Sequence, residues 1–357
     1  MLYQTQNPHG GDVYTEKIEL DFSANTNPYG TPEGVRQAVQ SALTQLHQYP
    51  DPYCRVLTRA IAAYEQIPES YILCGNGAAE LIYSYCKAVH AQKAVELAPT
   101  FSEYSAAFQH MGGQVERYPL QPEADFGLDA GFLHFLRKKQ PDVVFLCNPN
   151  NPTGRLVPPP LLLQILELCQ QHQIRLFLDE CFLDLAGQGG SLTASLAEAP
   201  QLFILKAFTK NYGMAGLRLG YGMSADVQLL YRMSQTVQPW NVSVLAQAAG
   251  AAALQEQAFL QRAREVICCE RPYLTRCLQN MGLKVCPSDA NYLLFRGPEG
   301  LHVSLKTQGI AIRSCDNYPG LGPGWYRIAV RLHAENQRLL QAMEQTLGKE
   351  SSWQKTL

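Results

Sequence analysis

Lys210 lies in K-A-F-T-K-N-Y-G-M-A-G-L-R-L-G-Y, residues 206–221, just after an apolar run, Leu202 to Leu205, that reads as a buried strand. A lysine at a strand end, among small residues and with Arg218 following, suits Schiff-base chemistry with an aldehyde cofactor that carries a phosphate. Such a lysine must shed its proton near neutral pH, which burial or a neighbouring cation promotes. The same stretch also suits an ordinary surface lysine on a loop, so the other chemical parts have to decide.

Those parts fall at strand ends. Gly75-Asn76-Gly77 stands where a short strand, Tyr71 to Cys74, gives way to a helix starting at Ala78. Free amides and the positive end of a helix dipole there would hold a phosphate, although a plain tight turn explains G-N-G equally well. Asn148-Pro149-Asn150-Asn151-Pro152-Thr153-Gly154 closes the apolar run Val143 to Cys147. It must turn sharply, leaving Asn151 with an amide able to bond a ring oxygen. Asp179-Glu180 ends the strand Ile174 to Leu178. A carboxylate there can keep a pyridine nitrogen protonated, or it can be a solvated capping acid. Arg313 and Arg327 fall on later strands near a Gly/Pro loop and together suggest a fork for an anionic substrate. Each alone would pass for an edge residue with a wet head group; Arg331, a third candidate, reads as structural. His9-Gly10-Gly11, taken alone, reads as a flexible tail.

The elements that must position these residues alternate. Apolar strands and helices follow one another from Tyr71 to about Gln238, which implies an α/β domain with a mostly parallel sheet covered on both faces. Ligands of such sheets bind at the carboxyl ends of the strands, where every motif above lies. Beyond Trp240 the pattern changes to one long helix, Val242 to about Cys269. Strands at Tyr292–Phe295, Ile310–Arg313 and Tyr326–Val330 follow, then a closing helix, Ala334 to Leu347. The expected division is a large cofactor-binding domain over residues 31–240 and a smaller α+β domain from residues 1–30 and 241–357.

Composition narrows the classes. The chain has 357 residues, 46% hydrophobic and 17% charged, with a net charge of -2, which argues against nucleic acid or anionic membrane as the main partner. No apolar run is long enough to span a bilayer, and the N-terminus lacks a basic-then-apolar signal pattern, so a cytoplasmic location is expected. The 11 cysteines contain no C-x-x-C and read as reduced core residues rather than disulfides or metal ligands.

Taken together, N-P-N-N-P-T-G, L-D-E, and T-K followed by G-L-R-L-G-Y resemble the pyridoxal-phosphate enzymes of the aspartate-aminotransferase fold, over essentially the whole chain. The nearest branch is the one holding histidinol-phosphate aminotransferases and L-threonine-O-3-phosphate decarboxylases. H-G-G, D-F-S-A-N-T-N-P-Y-G, I-R-S-C-D-N-Y-P-G-L and Y-R-I-A-V-R are similar to the decarboxylases in particular.

The resemblance implies an aspartate-aminotransferase-like α/β fold with a sheet of the seven-stranded kind, a homodimer, and pyridoxal 5'-phosphate. Lys210 would carry the cofactor, Asp179 would pair with its pyridine nitrogen, Asn151 with its phenolic oxygen, and Phe101 would stack on the ring. Asn76, Gly77, Ala78, Thr209 and Arg218 would hold its phosphate, joined by Tyr49 from a neighbouring subunit. Arg327 would take the substrate carboxylate, with Asn151 close by; Arg313, His9, Gly10 and Asn25 would take the substrate phosphate. Lys206 would be a bystander. Phe182 stands where transaminases of the branch commonly have tyrosine, a departure shared with the decarboxylases. Ala207 replaces a usual phosphate-binding Ser or Thr, which leaves that grip weaker or supplied by Thr209. The implied activity is decarboxylation of L-threonine-O-3-phosphate to (R)-1-aminopropan-2-yl phosphate, in cobalamin biosynthesis. Transamination of histidinol phosphate, decarboxylation of serine phosphate, and a cofactor-binding regulatory protein without turnover are the alternatives.

Overall fold

The computed structural model describes residues 9–187 and 189–349. Its centre is a seven-stranded sheet in the order Ile72–Gly75, Gly220–Met223, Leu202–Ala207, Arg175–Asp179, Val143–Cys147, Lys93–Ala98, Gln114–Pro119. The strands run parallel except Gly220–Met223, which lies antiparallel between its two neighbours. Val143–Cys147 and Leu202–Ala207 are buried at every position, as inner strands covered on both faces must be. Gln114–Pro119, at the sheet edge, has no fully buried residue.

The antiparallel strand escapes a reading of the sequence because two of its four residues are glycines, which interior strands normally avoid. Both glycines answer to close packing. A Cβ on Gly222 would lie 2.2 Å from the Phe203 ring, and one on Gly220 would lie 2.9 Å from the Ala78 amide nitrogen. Helices at Gly131–Lys139 and Val227–Ser234 are likewise additions to the expected set.

The expected single helix from Val242 to Cys269 is two helices, Val244–Ala253 and Gln257–Asn280. Ser243 caps the first by accepting the Ala246 amide. Its small-residue face packs on Glu33–Ala42, while the second helix packs against the closing helix, His333–Lys349. The break at residues 254–256 holds neither glycine nor proline, so nothing in the local sequence marks it.

A four-stranded antiparallel sheet follows, in the order Arg313–Ser314, Trp325–Ala329, Tyr292–Arg296, Lys284–Val285. The strand expected at Ile310–Arg313 divides at Ile312. Ile310–Ala311 pairs in parallel with Leu20–Asp21, and Arg313–Ser314 joins the four-stranded sheet. The segment after Leu20–Asp21 stays beside that sheet, because the Ala329 amide donates to the Phe22 carbonyl. This carries Ser23 to Asn27 to the ends of the large sheet, where the Asn27 amide donates to the carbonyl of Lys210 at 2.9 Å.

Candidate active site

The carboxyl ends of the large-sheet strands, the segment 23–25 and the four-stranded sheet enclose a cavity of about 240 Å³. Most residues singled out from the sequence reach it. Ala78, Phe101, Asn151, Asp179, Phe182, Ala207, Thr209, Lys210 and Arg218 line it from the large-sheet side. His9, Gly10, Asn25, Arg313 and Arg327 line it from the other.

Asp179 is buried, and burial pushes its carboxyl above the usual range. Hydrogen bonds oppose that push: Oδ1 accepts the Cys181 amide at 2.9 Å and Oδ2 accepts the Tyr104 hydroxyl at 2.5 Å. Lys210 stands on the short helix Phe208–Asn211 that begins where Leu202–Ala207 ends. Its ammonium is pushed down to about 8, first by burial, then by the charges of Arg327 and Arg218, with Cys181 and Asp179 acting the other way. The fraction of neutral amine near pH 7 is therefore far larger than for a free lysine.

The N-P-N-N-P-T-G turn is held by its own Thr153 and by the chain at Val157, Pro99 and Thr100. Asn148 Oδ1 accepts the Val157 amide, and Asn150 bonds Thr100, Thr153 and the Pro99 carbonyl. Asn151 alone of the three asparagines turns to the cavity, where its Oδ1 accepts from Arg327 Nη1 at 2.5 Å. Arg327 also donates through Nη2 to the Ser23 carbonyl at 2.8 Å, and its Nε is buried without a partner. Asn25 is 1% exposed, and both polar atoms of its side chain lack partners. Buried amides in that state are rare, and one lining a cavity points to a ligand.

Arg313 and Arg327 are register partners across two antiparallel strands. Arg313 donates to Asn317 Oδ1 at 2.7 Å and lies 5.5 Å from the Tyr318 ring centroid. His9 Nε2 is 2.8 Å from Glu103 Oε1, which draws the N-terminal segment across to the large-sheet side. The Gly11 amide ties the same segment to Ser23 Oγ.

Asn76 is exposed and its side chain is not in the cavity wall; its backbone amide donates to Glu80 Oε2 at 2.7 Å. Gly77 lies behind the wall with φ +83, and a Cβ there would sit 2.7 Å from Arg218 Nη2. A glycine is what lets the guanidinium approach the helix N-terminus. Tyr49 is 78% exposed and stacks on Trp240 at 4.6 Å, away from this chain's own cavity.

Tyr104, Cys181, Ser23 and Tyr318 line the cavity without having been singled out. Tyr104 lies one residue into the helix Glu103–His110, and only its nearness to Phe101 could have drawn attention to it. Tyr318 sits in the same I-R-S-C-D-N-Y-P-G string as Arg313.

Residues 17–343 match the model of the aminotransferase class I and II family. The chain belongs to that family. Among its relatives, the threonine-phosphate decarboxylase of Salmonella typhimurium is 39% identical over 92% of this chain and 91% of that protein. A histidinol-phosphate aminotransferase of Ralstonia nicotianae is 32% identical over 92% and 89%. In structure, the histidinol-phosphate aminotransferase of Clostridium acetobutylicum superposes with a TM-score of 0.86 at 27% identity, over 92% of this chain and 99% of that one. The L-threonine-O-3-phosphate decarboxylase of Porphyromonas gingivalis superposes with a TM-score of 0.83 at 25% identity, with the same coverage.

Membership of this family indicates pyridoxal 5'-phosphate as the cofactor, and the donor set fits it. A buried carboxylate, a lysine of depressed pKa, an unpartnered buried amide and a guanidinium at a helix N-terminus meet in one cavity. Among the described residues no helix is long and apolar enough to cross a membrane, and no cluster of metal-ligating side chains occurs.

Proposed function

We propose that this chain is a pyridoxal-phosphate-dependent decarboxylase of L-threonine-O-3-phosphate, yielding carbon dioxide and (R)-1-aminopropan-2-yl phosphate. The observation that carries the reading is the Arg313–Arg327 pair. Like charges placed directly opposite one another on a sheet are unfavourable. Placing them against a cavity makes sense where two anionic groups of one substrate arrive to offset both charges.

Each residue then has a task. Arg327, pre-oriented by Asn151 and the Ser23 carbonyl, grips the carboxylate. Arg313 takes the phosphate with His9, and Asn25 supplies a donor that has no other partner. When bound, the cofactor supplies a ring able to accept the electron pair left behind by departing carbon dioxide. Asp179, fixed by Tyr104 and Cys181, would pair with the ring nitrogen and keep it protonated. Phe101 would stack on the ring, and Thr209, Arg218 and the start of the helix Ala78–Val89 would hold the cofactor phosphate. Lys210, lowered to about 8 and so able to exist as amine or ammonium near neutral pH, would carry the cofactor through the amine and return a proton to the substrate carbon as the ammonium. Phe182, 5.7 Å from Lys210 Nζ, contributes no hydroxyl to compete for that proton. The product would be the aminopropanol phosphate linker used in cobalamin biosynthesis, and a cytoplasmic setting goes with that role.

The dimer belongs to the same reading. Leu43, Leu46, Tyr49, Tyr53, Val56 and Trp240 are exposed apolar side chains. A second copy covering them would bring its Tyr49 to this cavity's cofactor phosphate.

The deciding experiment gives cofactor-loaded protein L-threonine-O-3-phosphate without any keto acid and follows carbon dioxide. Sustained release is expected. Conversion of histidinol phosphate on addition of 2-oxoglutarate, with no such release, would make the chain a transaminase instead.

A further inference from the structure

Directly behind the cavity lies a buried charge cluster that the proposed chemistry does not use. Lys206 is 4% exposed, and its Nζ sits 2.9 Å from Glu65 Oε1, 3.7 Å from Asp184 Oδ1 and 4.0 Å from Glu180 Oε2. Burial opposes the ammonium, and the carboxylates of Asp184, Glu65 and Glu180 outweigh it, so Lys206 stays charged. A protein that only needed to fill this space would do so at less cost with apolar side chains.

The connections of the cluster are selective. Successive side chains of a strand point to opposite faces. Asp179 and Ala207 face the cavity, so their neighbours Glu180 and Lys206 meet on the far side. The Glu180 amide donates to the Leu205 carbonyl, and its carboxylate accepts the Ser191 hydroxyl at 2.5 Å and the Leu192 amide at 3.1 Å. Asp184 accepts from Asn211, the residue after Lys210, at 2.7 Å. Glu65 accepts the Tyr221 hydroxyl at 2.6 Å, and Tyr221 is the register partner of Lys206. The backbone on both sides of the cofactor pair is thus tied to one ammonium.

We propose that Lys206 is a positioning residue for the cofactor site: through Glu180 and Asp184 it fixes the backbone that carries Asp179 and Lys210. This rests on the assignment of Lys210 and Asp179 to the cofactor. Losing the ammonium removes the charge that draws Glu180, Asp184 and Glu65 together, burial then favours a neutral Glu180, and the displacement reaches the amine and the carboxylate together.

The test is a pH titration of the visible absorbance of cofactor-loaded protein, with the rate of cofactor release measured alongside. Lys206→Met is expected to shift the titration midpoint by at least about half a pH unit and to speed release several-fold, while Lys206→Arg restores both. A folded Lys206→Met protein with the wild-type midpoint and release rate overturns the proposal. If Lys206→Met does not fold, Asn211→Ala cuts the Asp184 arm without leaving a buried charge unpaired. A shift in that variant supports the proposal, and a wild-type titration in it overturns the proposal. A Lys210→Ala protein that keeps the lysine-bound absorbance would instead remove the assignment on which the inference rests.

Discussion

The Tyr104 hydroxyl donates to Asp179 Oδ2 at 2.5 Å, both groups being buried beneath the cavity. The contact favours the ionised carboxylate against the burial that opposes it. A hydrogen bond to a charged group is worth about 1.5–3 kcal/mol. Tyr104→Phe should therefore lower kcat by roughly 10- to 100-fold, with KM for the substrate little changed. Steady-state carbon dioxide release would check this; an unchanged kcat would mean that Asp179 does not depend on Tyr104.

Arg313 and Arg327 should separate in their effects. Arg313→Ala is expected to raise KM for threonine phosphate by about 10- to 100-fold, the equivalent of one charge-assisted contact, while leaving the slow turnover of unphosphorylated threonine alone. Arg327→Ala should impair both substrates. Equal loss on both substrates from Arg313→Ala would remove it from the phosphate site.

Lys210 makes the cofactor-free protein sensitive to pH. Its pKa in the fold is about 8 against an ordinary 10.5, so below pH 8 the fold must hold an ammonium that its surroundings disfavour. This penalty is full below pH 8 and fades as pH rises toward 10.5. Lys210→Met should raise the melting temperature of cofactor-free protein at pH 7, and the gain should shrink by pH 10. Thermal unfolding at the two pH values measures it.

Asn25 carries a buried, unpartnered amide. Leaving such a group unsatisfied costs about 1–3 kcal/mol. Asn25→Ala should accordingly leave the ligand-free protein as stable as the parent or more so, while weakening substrate binding several-fold. Calorimetric unfolding and titration together would show it, and loss of stability with unchanged binding would count against a ligand role.

Tyr49 offers a test of assembly. If a second copy completes the cofactor phosphate site, Tyr49→Ala should hasten cofactor loss on dilution. Sedimentation should report a dimer for the parent. A monomer with full cofactor retention would end the reading.

Much of this site was legible because its chemistry is local. Asn151, Asp179 and Lys210 each follow an apolar strand within a residue or a few, and strand ends of a parallel sheet converge by construction. Tyr104 and Ser23 converge by another route, through helix phase and through a loop held by strands some three hundred residues away, as the Arg327–Ser23 contact shows. Periodicity carries no information about such partners. Asn76 shows a related limit of local reading. G-N-G does mark a helix start, but the amide that looked free is taken by Glu80, one turn ahead. Lys206, read as a bystander, joins Glu180 and Asp184 of one stretch to Glu65 of a distant helix, and no spacing reveals that grouping.

Arg313 and Arg327 stand on adjacent strands of one small sheet, whereas Asp179 ends a strand of the large sheet and Lys210 stands on the short helix that follows its neighbour. In the proposed reading the two arginines act as the fixed jaws of a calliper. Whatever tilt the small sheet takes, the span between its grips stays constant, so substrate length is measured independently of substrate attitude. Attitude toward the lysine is then a property of how one sheet is seated on the other. The choice between losing a carboxylate and losing a proton would thus be inherited from that seating, and changes at the interface between the sheets could alter it with every catalytic side chain kept in place.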